Sequence, residues 1–164
     1  MKQKTTAIDT GKLLFGKVPP NAKEIEIAIL GIMLFNPNSV KVVRGILNVE
    51  DFYITTNKII CQAIFKISEH NNPDYLLVVQ ELIETGQIEE VGGAYAITKL
   101  TNAVSSDTNI KQYCLTVKQT AVQRRLIDFS SHVLSSVFEG EDDVFDTIIQ
   151  ARSEEHTSEL SHRP

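Results

Sequence analysis

The chain alternates between apolar runs and short polar breaks, and nearly every run has a helical period. Residues 1–20 are polar, rich in lysine and threonine, and end in Pro19-Pro20, which reads as a flexible arm. Asn21 then offers a helix cap with Glu24 three residues on, a capping-box spacing. Glu24 and Glu26 also suit the positive end of that helix's dipole. Ile25 to Phe35 is apolar almost all round, so this helix belongs at the centre of a core, and Gly31 inside it points to close approach of a neighbour. Asn36-Pro37-Asn38 breaks it, and Ser39 caps a second helix bearing Val40, Val43, Ile46 and Leu47. Asp51-Phe52-Tyr53 forms a connection whose aromatics plug the core. Thr56 or Asn57 caps a third helix with Ile59, Ile60, Ala63, Ile64 and Ile67 on one face. Asn71-Asn72-Pro73 stops it. Asp74 caps a fourth helix that runs to Thr85, with Gly86 as its left-handed terminator. Leu76 to Val79 has strand propensity, but the length of the segment favours helix. Gly92-Gly93 opens a fifth helix carrying Tyr95, Ile97 and Leu100.

Ser105-Ser106-Asp107 caps a much longer segment, free of proline and glycine from Asp107 to Glu139. Its apolar residues fall at Ile110, Cys114, Val117 and Ala121, then at Val122, Leu126, Phe129, Val133 and Val137. The spacings are threes and fours except at the step from Ala121 to Val122. Such a helix is about 50 Å long. Glu139-Gly140-Glu141 makes a turn, and Asp142 or Asp143 caps a returning helix with Val144, Phe145, Ile148 and Ile149. The expected fold is therefore all-α, a compact multi-helix head at 21–103 followed by a long antiparallel helical hairpin at 104–151. The returning helix has an apolar pattern only to Ala151. The start of the outgoing stripe, at Ile110 and Val117, is accordingly expected to lack a partner within the chain. Leu126, Phe129, Val133 and Val137 serve either packing inside the hairpin or pairing between protomers, and all six are candidates for an oligomer interface.

Composition narrows the partners. With 16 basic and 21 acidic residues the chain carries -5, which argues against a whole-domain reader of nucleic acid, since phosphate binding needs a basic face. A local patch at Lys118, Arg124 and Arg125 remains, either a solvated face or a docking contact for a partner. The two cysteines, Cys61 and Cys114, have no paired spacing and read as reduced thiols. His70, His132, His156 and His162 show no metal-ligand spacing. Gly11 to Lys17 imitates a phosphate-binding loop, G-x4-G-K. However, Val18 stands where a magnesium-binding Ser or Thr is needed, and Pro19-Pro20 opposes the helix that must follow. No paired nucleophile and base appears elsewhere, so no catalytic residue is assigned.

Residues 152–164 contain one large apolar residue in thirteen. Arg152 to Leu160, RSEEHTSEL, matches the in-frame translation of a common sequencing-library adapter. The segment is read as not native, with the hairpin truncated near Ala151.

From Val18 to about Ile149 the sequence resembles the N-terminal domain of bacterial replicative DNA helicases, the DnaB family. The resemblance rests first on Pro19-Pro20 followed by Glu24-x-Glu26-x-Ala28-x-Leu30-Gly31-x-Met33-Leu34, and on Asp51-Phe52-Tyr53. It continues with Gly86-Gln-Ile-Glu-Glu-Val-Gly92-Gly93-Ala-Tyr95, with Ser105 through Asn109-Ile110 and Tyr113, and with Gln123-Arg124-Arg125-Leu126-Ile127. Two positions depart from it. Ala96 stands where the family more often has tyrosine, and Tyr75-Leu76-Leu77 follows Asp74 where a polar residue is usual.

The resemblance implies a head and hairpin without catalytic activity. It implies a collar that forms dimer pairs within a hexameric ring and docks primase and a helicase loader. DNA would be met through the parent assembly and not mainly through this domain. ATP and Mg2+ would belong to a motor domain absent from this chain, which itself takes no cofactor. Such a protein is cytoplasmic, with no membrane partner. The rival reading is a stand-alone helical regulator or loader from a phage or mobile element.

Overall fold

The computed structural model describes residues 17–102, 108–139 and Ile149. Among the described residues there are six α-helices and one short 3-10 turn, with no strand: α1 (Lys23–Phe35), α2 (Ser39–Arg44), the 3-10 turn (Val49–Asp51), α3 (Thr55–Ile67), α4 (Tyr75–Glu84), α5 (Gly93–Asn102) and α6 (Ile110–Glu139). The all-α expectation holds. The returning helix apart from Ile149, residues 140–141 of the turn, the cap at 105–107, the arm up to residue 16 and the adapter-like tail lie outside the described residues.

The chain divides into two compact units. One spans Pro20–Val122 and contains α1 to α5 with the first part of α6. The other contains the remainder of α6. The first unit therefore extends past the expected head boundary at 103, because the start of α6 belongs to the head core.

α1 is the central helix. Ile29, Leu30, Gly31, Ile32, Met33 and Leu34 are all buried, which matches a run with no polar face, and α1 packs against α2, α3 and α5. It starts at Lys23 with Ala22 in the cap position, one residue later than the Asn21 start. At its far end Asn36 N–H donates to Ile32 O, and the Ser39 hydroxyl donates to Asn36 O at 2.7 Å. Ser39 is thus the first residue of α2, with Asn38 in the cap position. α3 buries Ile59, Ile60, Cys61, Ala63 and Ile64. Phe52 is buried beneath it, a burial worth about 2–3 kcal/mol. Tyr53 is only half-buried, with Lys23 Nζ 5.5 Å from its ring centroid, so one aromatic of the connection fills the core and the other does not.

The α4–α5 connection follows the sequence closely. Asp74 Oδ1 accepts Leu77 N–H at 2.9 Å, capping α4. Gly86 takes φ +71° beyond the last turn, with Gly86 N–H donating to Ile83 O and Gln87 N–H to Leu82 O, a Schellman closure. Leu76 to Val79 is helical, burying Val78 and Leu82. Ile97 and Leu100 of α5 reach the core, whereas Tyr95 is exposed and carries Lys99 over its ring at 4.6 Å. Tyr95 therefore does not fill a core site.

Candidate partner-docking surface

Two buried carboxylates build the scaffold on which the surface rests. Glu26 is fully buried. Its Oε1 accepts Tyr53 N–H at 2.7 Å, and its Oε2 accepts Ile54 N–H at 3.3 Å and the Asn57 side-chain amide at 2.9 Å. Tyr53 and Ile54 lead into α3, so the negative charge lies at the positive end of that helix. Thr56 and Asn57 were the expected caps of α3. The helix instead has Ile54 in the cap position, and Asn57 helps hold a carboxylate supplied by α1. Asp51 is the second buried carboxylate. Its Oδ2 accepts Asn48 N–H at 2.9 Å, completing a capping box on the 3-10 turn, and accepts Lys118 Nζ at 2.9 Å. Lys118 comes from α6, so this pair fastens the long helix to the turn below α3.

α6 presents two apolar faces. Ile110, Cys114, Val117 and Ala121 are buried, and the first three belong to the head core with Ile29, Phe52 and Ile64. The expectation that Ile110 and Val117 lack a partner is corrected here: the head covers them, and they are core residues, not interface candidates. Cys114 and Ala121 are small, which allows α6 to seat closely. The other candidates fare differently. Leu126 is 61% exposed, Phe129 41% and Val137 51%, while Val133 is half-buried. Leu115 and Val122, at 45% and 51%, extend this outer face towards the start of the helix. The step between Ala121 and Val122 marks where the sequence stripe passes from the buried face to the exposed one.

The basic candidates also separate. Lys118 is engaged by Asp51 and is a structural residue of the head. Arg125 is exposed and Arg124 half-buried, further along the helix. Sequence reasoning gave Lys118 to the patch because its partner lies 67 residues away. Burial pushes the Cys114 thiol up to about 11 and raises the Cys61 thiol further, so neither is poised for nucleophilic chemistry. Among the described residues no group of three His, Cys, Asp or Glu side chains could hold a metal ion, and no helix is long and apolar enough to cross a membrane.

This arrangement matches known proteins. Residues 18–119 fit the family model described as DnaB-like helicase N terminal domain. The chain is 31% identical over 140 residues to the replicative DNA helicase DnaC of Bacillus subtilis, an alignment covering 85% of this chain and 31% of that protein. It is 30% identical over 134 residues to the replicative DNA helicase DnaB of Geobacillus stearothermophilus, covering 81% of this chain and 30% of that protein. The chain thus spans about a third of the length of these relatives. The N-terminal domain of DnaB helicase from Mycobacterium tuberculosis superposes with a TM-score of 0.77 at 26% identity, covering 84% of this chain and 97% of that one. A central apolar α1, a capped α4–α5 turn and a long α6 whose first part belongs to the head core are thus set in a sequence that aligns with these helicases over most of its length, and the chain belongs to the family of DnaB-like helicase N-terminal domains.

Proposed function

We propose that this domain is the collar of a replicative DNA helicase: it pairs with its own kind to organise a hexameric ring and offers that ring to primase and the helicase loader. The observation that carries the reading is the outer face of α6. Leu126, Phe129 and Val137 stay exposed on the part of α6 that continues past the head unit. Each such side chain gains about 1.5–3 kcal/mol if fully buried, and symmetric pairing of helices is the simplest burial available to identical chains. The names of the relatives support the wider setting, and ATP-driven unwinding would belong to a motor domain in the longer protein. Arg125 borders the apolar face and suits a contact with an acidic surface of a partner, whereas Arg124 lies on the opposite side of the helix.

Sedimentation over a range of concentrations tests this. The wild-type chain should associate, and Leu126→Glu or Phe129→Glu should shift it to monomer with helix content unchanged. A wild-type chain that stays monomeric at high micromolar concentration would refute the pairing.

A further inference from the structure

α4 gives only one side to the core. Val78 and Leu82 are buried, while Leu76 and Ile83 are each more than half exposed. Seven residues apart, these two lie within about 20° of one line along the helix, about 10 Å from end to end. Val79, half-buried, adjoins that line, so the outer side of α4 carries a continuous apolar stripe and not a scattered exposed residue. Beside the stripe an open groove of about 220 Å³ runs between the end of α3 and α4. Ile67 and Leu77 give the groove apolar walls, and Gln80, Glu81 and Glu84 give it a polar edge. Lys66 also lines it and is already engaged by Glu81 at 2.6 Å. Glu84 is exposed. It accepts the Gln80 side-chain amide at 2.9 Å and keeps acceptor capacity for a cation.

The charge around the stripe has one sign. Residues 67–98 hold Glu69, Asp74, Glu81, Glu84, Glu89 and Glu90 and no lysine or arginine. Glu84, Glu89 and Glu90 are exposed, and the carbonyl end of α4 adds its negative dipole to theirs. Such a surface repels nucleic acid and favours a cationic protein. A lysine or arginine stem fits against Ile67 and Leu77 while its charged head reaches Glu84. An i, i+7 stripe beside a groove is the shape on which a second helix packs. Two apolar segments of the chain itself fit it poorly. Val144, Phe145 and Ile148 come with Glu141, Asp142, Asp143 and Asp146, which have the wrong charge. Leu13-Leu14-Phe15 stands between Gly11 and Gly16 and is too short to match the stripe as a helix.

We propose that the outer face of α4, with the groove beside it, docks a lysine- or arginine-bearing amphipathic helix of another protein. The site lies wholly within the head and does not depend on the pairing assigned to α6.

The probe is a fluorescein-labelled amphipathic helix of leucine, lysine and alanine, titrated with the whole chain and read by anisotropy. It should bind saturably, and the same peptide with glutamate for lysine should bind at least roughly ten-fold more weakly. Leu76→Ser/Ile83→Ser should weaken binding by a similar factor with helix content and melting temperature unchanged, because both positions are exposed. If that variant does not fold, Glu84→Lys alone should weaken binding to the same degree. Leu126→Ser, on α6, should leave it unchanged.

Four results would overturn the proposal. Binding could fail to saturate, or stay as tight in both α4 variants, which would make it unspecific attraction to an acidic chain. It could be lost in Leu126→Ser instead. Sedimentation could show that Leu76→Ser/Ile83→Ser reduces self-association, which would assign the face to a second copy. Binding could also tighten about ten-fold in Leu14→Ser/Phe15→Ser, which would assign the face to the N-terminal arm.

Discussion

Replacing Glu26 should be among the most damaging single changes in the head, although Glu26 lies in a stretch of helix that otherwise looks interchangeable. The carboxylate accepts three hydrogen bonds, from Tyr53 N–H, Ile54 N–H and Asn57 Nδ2, and is closed off from water. Hydrogen bonds to a charged acceptor contribute about 1.5–3 kcal/mol each, and a buried donor left without a partner costs about 1–3 kcal/mol. These terms overlap, and single substitutions above about 4–5 kcal/mol are exceptional. The expected loss for Glu26→Ala is therefore about 4 kcal/mol. Glu26→Gln keeps one acceptor oxygen but turns an amide donor towards backbone N–H groups, and should cost about 2 kcal/mol by the same reckoning. For a unit of this size each kcal/mol lowers the melting temperature by about 4–8 °C, so the alanine variant should melt roughly 15–30 °C lower. Urea titration and thermal circular dichroism measure this directly. Glu24→Ala, an exposed neighbour on the same helix, should change stability by less than about 0.5 kcal/mol. A loss below about 1 kcal/mol for Glu26→Ala would refute the claim that this carboxylate organises the entry to α3.

Val117→Glu should unfold the head and not merely dissociate an oligomer, because Val117 is fully buried; loss of the cooperative thermal transition is the readout. Asp74→Ala should cost about 1 kcal/mol through loss of the α4 cap, and Gly86→Ala a further 1–2 kcal/mol, approximately, because position 86 holds φ +71°; both are read by urea denaturation. Stability should fall in alkali. Cys114 is raised from the ordinary thiol value of 9.0 to about 11 and Cys61 higher, so both stay protonated in the folded chain after the unfolded chain has ionised. Their contribution is complete below pH 9 and is lost as the pH rises through about 11; replacing both by alanine should flatten that part of the curve.

The elements that the sequence made legible are those whose determinants sit within a few residues of one another. Asp74 and Leu77, or Gly86 with Leu82 and Gln87, form closed local circuits, and both ends of α4 follow from composition alone. The central position of α1 was equally plain, because a helix with no polar face has nowhere else to go. What periodicity could not reveal was the long-range polar pairing. Glu26 meets Tyr53 and Asn57 across 27 and 31 residues, and Asp51 meets Lys118 across 67. Without those partners Glu26 reads as a dipole charge for its own helix and Lys118 as part of a surface patch. The stripe on α6 is ambiguous for a related reason. Period alone shows that two sets of apolar residues exist, but not which set the head will bury, so Ile110 and Val117 read as lacking a partner although the head core includes both.

The seat of α6 also sets a schedule for the emerging chain. The head core includes Ile110, Cys114 and Val117, so the wall they form is the last part of the unit to be synthesised. Asp51 leaves the ribosome 67 residues ahead of its counter-charge, an interval of roughly 3–13 s at about 5–20 residues per second. Throughout that interval α1 to α5 can associate, but the groove destined for α6 is open and its carboxylate is wet. A nascent chain halted before Ile110 should therefore remain a substrate for chaperones that recognise apolar surface, and one released after Val122 should not.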